Sequence, residues 1–164
     1  MPGLRAALMV LALGCVAAAS ATPTQVYVSI KGTVWSRFPC VINSGRPITA
    51  SFGDVQSNEI DGVYKTITIE YSLDCSRSTT NEVRMQVHGN GTSFAPSVLA
   101  IPGNPEVGIS FLKDSVKLAI NTWIDFDASS KPLLQAVLVT QSSSGNRINY
   151  GAFSASATLV VDYR

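Results

Sequence analysis

The sequence predicts an all-β protein, a secreted β-sandwich of the immunoglobulin-like type. About seven short segments alternate apolar with polar residues, and turn residues separate them. No window keeps a helical period for more than about a turn. Two cysteines remain beyond a predicted export signal, and an even pair in an exported chain favours a disulfide.

The export signal is predicted at the N-terminus. Arg5 precedes an apolar run from Ala6 to Val16, and small residues follow up to Ala21. This order is typical of a secretory signal peptide, residues 1–21, whose cleavage would free Thr22. Cys15 raises a lipoprotein alternative, but the residues before it lack the usual order of a lipid-attachment site. We therefore expect Cys15 to be part of the apolar run.

Charge and length exclude several other classes. The chain has 12 Lys and Arg against 11 Asp and Glu and no basic stripe, so we expect no nucleic-acid partner. Later apolar runs such as Leu133 to Val139 are too short to span a bilayer, so no membrane insertion is expected. Without its signal the chain has the size of one domain.

A strand is predicted at the front of the mature chain, from Gln25 to Val34. One face is aliphatic apart from Gly32, and the other face is largely polar. Glycine within a strand often marks the close approach of another backbone. The pattern therefore predicts insertion into a groove, either of this chain or of another. The residues on the apolar face are Val26, Val28, Ile30, Gly32 and Val34.

The remaining strands are predicted from the same alternation. The clearest runs from Tyr64 to Leu73, and the last from Gly151 to Arg164. Thr92 to Pro105 is rich in Gly, Pro, Ser and Asn and predicts a long loop with room for a short strand. Further strands are predicted at residues 83–87, 107–112, 123–126 and 133–140, with weak alternation at 48–55. One face of the C-terminal strand carries Phe153, Ala155, Ala157, Leu159, Val161 and Tyr163.

Catalytic and metal-binding groups are scarce. His88 is the one histidine and lies on the polar face of a strand, which is an ordinary position. Asp125, Asp127 and Ser129 have the spacing that opens a calcium loop, but the Gly and Glu needed further on are absent. No G-x-S-x-G elbow occurs. We therefore expect no enzyme activity, metal or cofactor.

These features together resemble the pilin subunits of the chaperone-usher pathway. Four features carry the resemblance: an alternating N-terminal extension with Gly32, Cys40 followed by Cys75, Gly151 at the fourteenth position from the end, and the penultimate Tyr163. The resemblance covers essentially the whole mature chain. The run from Val26 to Gly45, which ends with Pro39 to Gly45, together with Phe52, Gly53 and Asp54 beyond, is most similar to minor tip and adaptor pilins of P-pilus type.

The resemblance implies an incomplete immunoglobulin-like β-sandwich that lacks its last strand and is completed by donor-strand complementation. Residues 22–34 would be the donor extension and residues 35–164 the pilin domain. Gly32 would lie where the acceptor groove is too narrow for a side chain. A chaperone would hold the C-terminal strand and the carboxylate of Arg164. The chaperone-facing residues would be Gly151, Phe153, Ala155, Ala157, Leu159, Val161, Tyr163 and Arg164.

The implied partners are a periplasmic pilus chaperone, an outer-membrane usher and neighbouring pilin subunits, including a tip adhesin. The implied location is the pilus at the cell surface, reached through the periplasm. Two alternatives stay open at this stage. One is a major rod pilin of the same family, and the other is a self-contained secreted sandwich that binds a carbohydrate, with its front strand in its own sheet. A secreted hydrolase is a more distant third.

Overall fold

A computed structural model describes residues 26–33, 40–141 and 148–164. The chain divides into two compact units, with the boundary between Val34 and Trp35. In the first unit, residues 26–33 are exposed and form no helix or strand. The strand predicted from Gln25 to Val34 is therefore not formed over these residues, because no neighbouring strand pairs with them. Gln25, Val34 and the predicted signal peptide lie outside the described residues.

The second unit is built from antiparallel strands. The described residues contain no helix long and apolar enough to cross a membrane. The strands are β1 (Val41–Ile42), β2 (Ile67–Thr68), β3 (Leu73–Asp74), β4 (Glu82–His88), β5 (Leu99–Ile101), β6 (Asn104–Lys113), β7 (Val116–Leu118), β8 (Ile124–Asp127), β9 (Leu134–Thr140) and β10 (Thr158–Tyr163).

Two sheets contain most of these strands. The larger has the order β2-β9-β6-β5, and β7 also pairs with β6. The smaller has the order β10-β4-β8, so the C-terminal strand lies at its edge. A short third ladder joins β1 to β3.

The apolar core contains residues from both sheets. In β4 the burial alternates strictly, so that Val83, Met85 and Val87 are buried between more exposed neighbours. This is the period of two expected of a sheet with one core-facing side. From the larger sheet, Ile109 and Phe111 of β6 and Leu134, Ala136 and Leu138 of β9 belong to the same cluster as Met85.

A disulfide joins Cys40, directly before β1, to Cys75, directly after β3. The two residues are 35 positions apart in sequence. This is the pairing predicted from the sequence. The disulfide closes the β1–β3 ladder at the end where Val41 pairs with Asp74.

The predicted strand from Tyr64 to Leu73 is wrong in extent, since only Ile67–Thr68 and Leu73–Asp74 form strands. Pairing with β9 continues as far as the hydrogen bond from Ile69 N–H to Leu134 O, 2.8 Å long. Further along, Pro132 has no N–H to donate. The Lys131 ammonium donates instead to the carbonyl of Tyr71, at 2.6 Å.

The predicted loop from Thr92 to Pro105 contains the short strand expected there, which is β5. It also contains the start of β6, which was predicted to begin only at Val107, and a turn through Pro102 and Gly103 joins the two strands. Gly103 has a φ of 79°. Proline followed by a glycine at positive φ is the signature of a type II turn, and it lies between two apolar runs. That signal was present in the sequence.

Candidate functional site

The candidate site is an open groove along the apolar core of the second unit. Two adjoining hollows make up the groove, with volumes of about 600 Å³ and 630 Å³. Residues 45–55 form the first wall and residues 151–159 form the second wall. Ala50, Phe52, Ile109 and Ala155 line both hollows, so the hollows form one continuous groove.

The floor of the groove is the hydrophobic core itself. Its side chains come from β2, β4, β5, β6 and β9, and most of them are members of the buried cluster. A complete sandwich would cover such a floor with a strand, because exposed apolar surface lowers stability. The floor residues of the first hollow include Ile67, Ile69, Val87, Leu99, Ile109, Phe111, Leu134 and Ala136.

The second wall includes the start of the C-terminal strand. β10 pairs with β4 from Thr158, opposite His88, to Tyr163, opposite Val83. In the described chain no strand pairs with the other edge of β10. Residues 151–157 form no strand, so the predicted strand from Gly151 to Arg164 is too long at its front. β4 ends at His88 and offers these earlier residues no partner.

The apolar face predicted for the C-terminal segment faces partly into the groove. Ala155, Leu159 and Val161 pack against the core cluster. Ala155, Ala157 and Leu159 line the first hollow, and Gly151 and Phe153 line the second.

The first wall was not identified as part of a site from the sequence. Ile48 and Phe52 pack against the core, and Ile48, Ala50 and Phe52 line the first hollow. The weak alternation at 48–55 was the signal that could have found them. None of residues 46–56 forms a strand, since this wall has no partner across the groove.

Charge is sparse in the groove, where Arg46 and Asp54 are the charged lining residues. His88 is exposed at the end of β4 and lines neither hollow. No group of three or more His, Cys, Asp or Glu within the described ranges could hold a metal ion. The described lining of the groove therefore carries little charge.

The outer face of the three-stranded sheet is charged. The Arg84 guanidinium donates to Asp162 at 2.9 Å and lies 4.5 Å from the centre of the Trp123 ring. Donation from the Arg84 side chain, and then from the Tyr163 N–H, lowers the pKa of the Asp162 carboxyl. The Arg164 guanidinium lies 3.4 Å from Glu82 and 3.3 Å from Asp125. The Arg84–Asp162 pair connects β4 to β10, and Arg164, directly after β10, pairs with residues of β4 and β8. Exposed pairs of this kind are each weak.

The segment with the spacing that opens a calcium loop forms a turn. Asp127 accepts hydrogen bonds from both the N–H and the hydroxyl of Ser129, at 2.8 Å and 2.5 Å. These bonds lower the pKa of the Asp127 carboxyl, the hydroxyl contributing most. Asp125 faces Arg164 instead.

Fold and groove together define a class: an immunoglobulin-like sandwich that lacks one strand and keeps the resulting gap open. The chain belongs to the fimbrial protein family, since the model of that family, described as "Fimbrial protein", matches residues 28–164. The family and fold are those of structural pilus subunits, which supports a place at the cell surface among other pilins.

Two relatives from Escherichia coli K12 agree with this assignment. The chain is 31% identical to the uncharacterized fimbrial-like protein YfcR over 77% of this chain and 74% of the relative. It is 32% identical to the uncharacterized fimbrial-like protein YfcQ over 94% of this chain and 97% of the relative.

Solved structures share the fold. The P pilus rod subunit PapA matches with a TM-score of 0.61 at 19% identity, over 85% of this chain and 100% of that one. The P pilus adaptor subunit PapF matches with a TM-score of 0.57 at 22% identity, over 79% of this chain and 98% of that one. Rod and adaptor subunits are thus both among the neighbours.

Proposed function

We propose that this chain is a non-enzymatic pilus subunit that polymerises by donor-strand exchange. Residues 22–34 of one subunit would fill the groove of the preceding, tip-side subunit, and residues 35–164 would be the acceptor domain. The observation that carries the proposal is the apolar groove beside the free edge of β10. Adding an extended strand to an open sheet edge is an established mode of protein recognition.

The extension has the surface that such a groove requires. Val26 and Val28 are each 80% exposed, and Ile30 is 91% exposed. Three exposed aliphatic residues on one face of a short segment favour burial in a partner. The alternating polar residues between them would face solvent once the strand is inserted.

The same free edge suits a chaperone before assembly. An unpaired apolar edge templates aggregation unless it is covered. We propose that a periplasmic chaperone covers the face formed by Phe153, Ala155, Ala157, Leu159, Val161 and Tyr163 and holds the carboxylate of Arg164. An outer-membrane usher would then exchange the chaperone for the next subunit, after export directed by residues 1–21.

Within the fibre we propose a minor or adaptor position near the tip. The support is the similarity of the run from Val26 to Gly45, with Phe52, Gly53 and Asp54 beyond, to tip and adaptor pilins. The rod position is the competing assignment, and the likeness to PapA and PapF supports both equally. The neighbour toward the tip would then be another minor pilin or the adhesin.

Deletion of residues 24–34 tests the proposal. The shortened chain should still co-purify with its chaperone but fail to join the subunit on its tip side. The matched control replaces Ser29 and Thr33 of the opposite face with alanine and should assemble normally. Unimpaired assembly of the deletion variant would refute donor-strand exchange through this extension.

A further inference from the structure

The strands of the second unit run between two ends of the sandwich, which we call the entry pole and the far pole. β6 has 10 residues and spans this distance, about 30 Å. At the far pole, in the turn before β6, the side-chain amide of Asn149 donates to the carbonyl of Gly103 at 2.7 Å. At the entry pole, in the turn after β6, the N–H of Asp114 donates to the carbonyl of Leu133 at 2.9 Å.

The chain enters the domain at the entry pole. Cys40 is joined to Cys75, and the residues on both sides of Cys75 are hydrogen-bonded to the loop between β8 and β9. Tyr71 donates through its hydroxyl and Asn81 accepts through its carbonyl, each over 2.8 Å. Residues 35–39 separate Cys40 from the extension and can bridge no more than about 20 Å. A subunit's entry pole therefore lies close to any neighbour that holds its extension.

Under the proposed function, the pole that the neighbour presents is its far pole. Every subunit sends its own extension out at its entry pole. If a received extension also left the groove at that pole, three entry poles would crowd around one point and no open fibre could grow. The extension must instead leave at the far pole, antiparallel to β10, which runs from Thr158 near the far pole to Tyr163 near the entry pole.

The entry pole carries a basic and partly apolar surface, which we call the lysine surface. Val116 is 69% exposed and Leu133 is 45% exposed, although both side chains are aliphatic. Asp114 lies here too, but its carboxylate is paired with the Lys113 ammonium at 3.0 Å. The net charge of the surface is therefore positive. Its lysines are Lys113, Lys117 and Lys131.

The far pole carries an acidic and partly apolar surface, which we call the acidic surface. Tyr150 directly follows Asn149 and is 79% exposed. Val63 is 73% exposed and follows Gly62, which faces Val139 near the end of β9. The net charge here is negative. The acids of this surface, all exposed, are Asp54, Glu59 and Asp61, and its lysine is Lys65.

We propose that the lysine surface of one subunit docks on the acidic surface of a second copy of this chain, the copy whose groove holds its extension. The inference rests on the proposed function and adds a contact between domains to each joint. Among the described residues of the second unit, the three most exposed large apolar side chains are Val63, Val116 and Tyr150, and all three lie on these surfaces. Docking would cover them and bring ammonium groups to carboxylates, whereas two entry poles would bring lysines together.

Cross-linking of polymers tests the contact. A mixture of isotope-labelled and unlabelled full chain is allowed to polymerise, and a carbodiimide then joins lysine side chains to the carboxylates that touch them. Mass spectrometry of proteolytic fragments identifies the linked pairs, and mixed isotopes mark links between two molecules. We expect such links from Lys117 or Lys131 to the acids of the acidic surface. The chain without residues 24–34 is the control and should give none at the same concentration.

The growth rate of the polymer gives a second measurement. Lys117→Gln removes one charge from an exposed side chain and should leave the fold intact. We expect it to slow growth at low salt by about threefold or more, because opposite charges speed encounter. The effect should vanish near 1 M salt, where the screening length is about 3 Å. Gln86→Glu changes the net charge equally on the outer face of the three-stranded sheet and is the matched control.

The outcomes separate the contact from the proposed function. A chain that forms no polymer, but whose Tm rises when a peptide of residues 24–34 is added, would overturn a second copy as the partner and leave donor-strand exchange standing. No polymer and no response to the peptide would overturn both. Links from the lysines only to other carboxylates, the same links in the deletion variant, or equal growth of Lys117→Gln and its control would each overturn the contact alone.

Discussion

Groove filling can be measured in a protein that consists of the full chain, a flexible linker and a second copy of residues 24–34 joined after Arg164. Replacing Ile30 by alanine in this appended strand should weaken groove filling by a calculable amount. The change removes three carbon atoms from a side chain that is 91% exposed in the isolated chain and buried on insertion. At about 0.8 kcal/mol per carbon buried, the lost stabilisation is about 2 kcal/mol. For a unit of this size that corresponds to a Tm decrease of about 7 °C.

The matched change is Ser29→Ala in the same appended strand. Ser29 belongs to the opposite face, so its substitution should lower the free energy of unfolding by less than about 0.5 kcal/mol. Urea unfolding followed by circular dichroism measures both effects. Equal losses from the two variants would refute the assignment of the even-numbered face to the groove.

Three further predictions concern the domain itself. The double substitution Cys40→Ser and Cys75→Ser should lower the free energy of unfolding by roughly 3 to 4 kcal/mol, because the unfolded chain regains the freedom of a 35-residue loop. Urea unfolding measures this loss, and an unchanged midpoint would contradict the prediction. Met85→Ala, at a site with no exposure, should cost about 2–5 kcal/mol through the cavity it leaves, again by urea unfolding; a loss below about 1 kcal/mol would contradict the packing described. Burial, and to a lesser extent the Asp114 carboxylate, raises the pKa of Tyr71 from 10.0 to about 12. Because the folded protein favours the neutral phenol, this group stabilises the fold fully below pH 10. The stabilisation is lost as the pH rises through about 12. Tyr71→Phe should flatten the stability profile in that window, and an unchanged slope would exclude Tyr71 as the titrating group.

The strands that the sequence predicted well have paired neighbours on both sides. Glu82–His88 alternates strictly and Leu134–Thr140 is a nearly continuous apolar run, and both agree closely with the strands predicted at 83–87 and 133–140. The predicted strand from Tyr64 to Leu73 failed because alternation reports which face is buried, whereas strand pairing also requires donors on the neighbour. Pro132 lacks such a donor, and single-chain periodicity does not reveal which residues will lie opposite it.

The groove could be predicted only in part from the sequence, again because alternation shows which face is buried but not which residues lie opposite it. Both the extension and the C-terminal face carry a strong period of two, so the sequence indicates two edges that need a partner. The first wall has only weak alternation at Ile48, Ala50 and Phe52, since its residues line a gap and pair with no strand. The contact between Phe52 and Phe153 joins residues about a hundred positions apart, and only the folded structure brings them together.

The pairing of β10 with β4 has a mechanical consequence. Six consecutive residue pairs connect the two strands, from Thr158 with His88 to Tyr163 with Val83, and the Arg84–Asp162 ion pair spans them on the outer face. A tensile load applied along β10 acts parallel to both strands. It shears the whole ladder at once, and the bonds do not open one after another from an end. In the proposed donor-strand fibre, a load carried by a strand inserted beside β10 would therefore reach the rest of the domain through this ladder in shear.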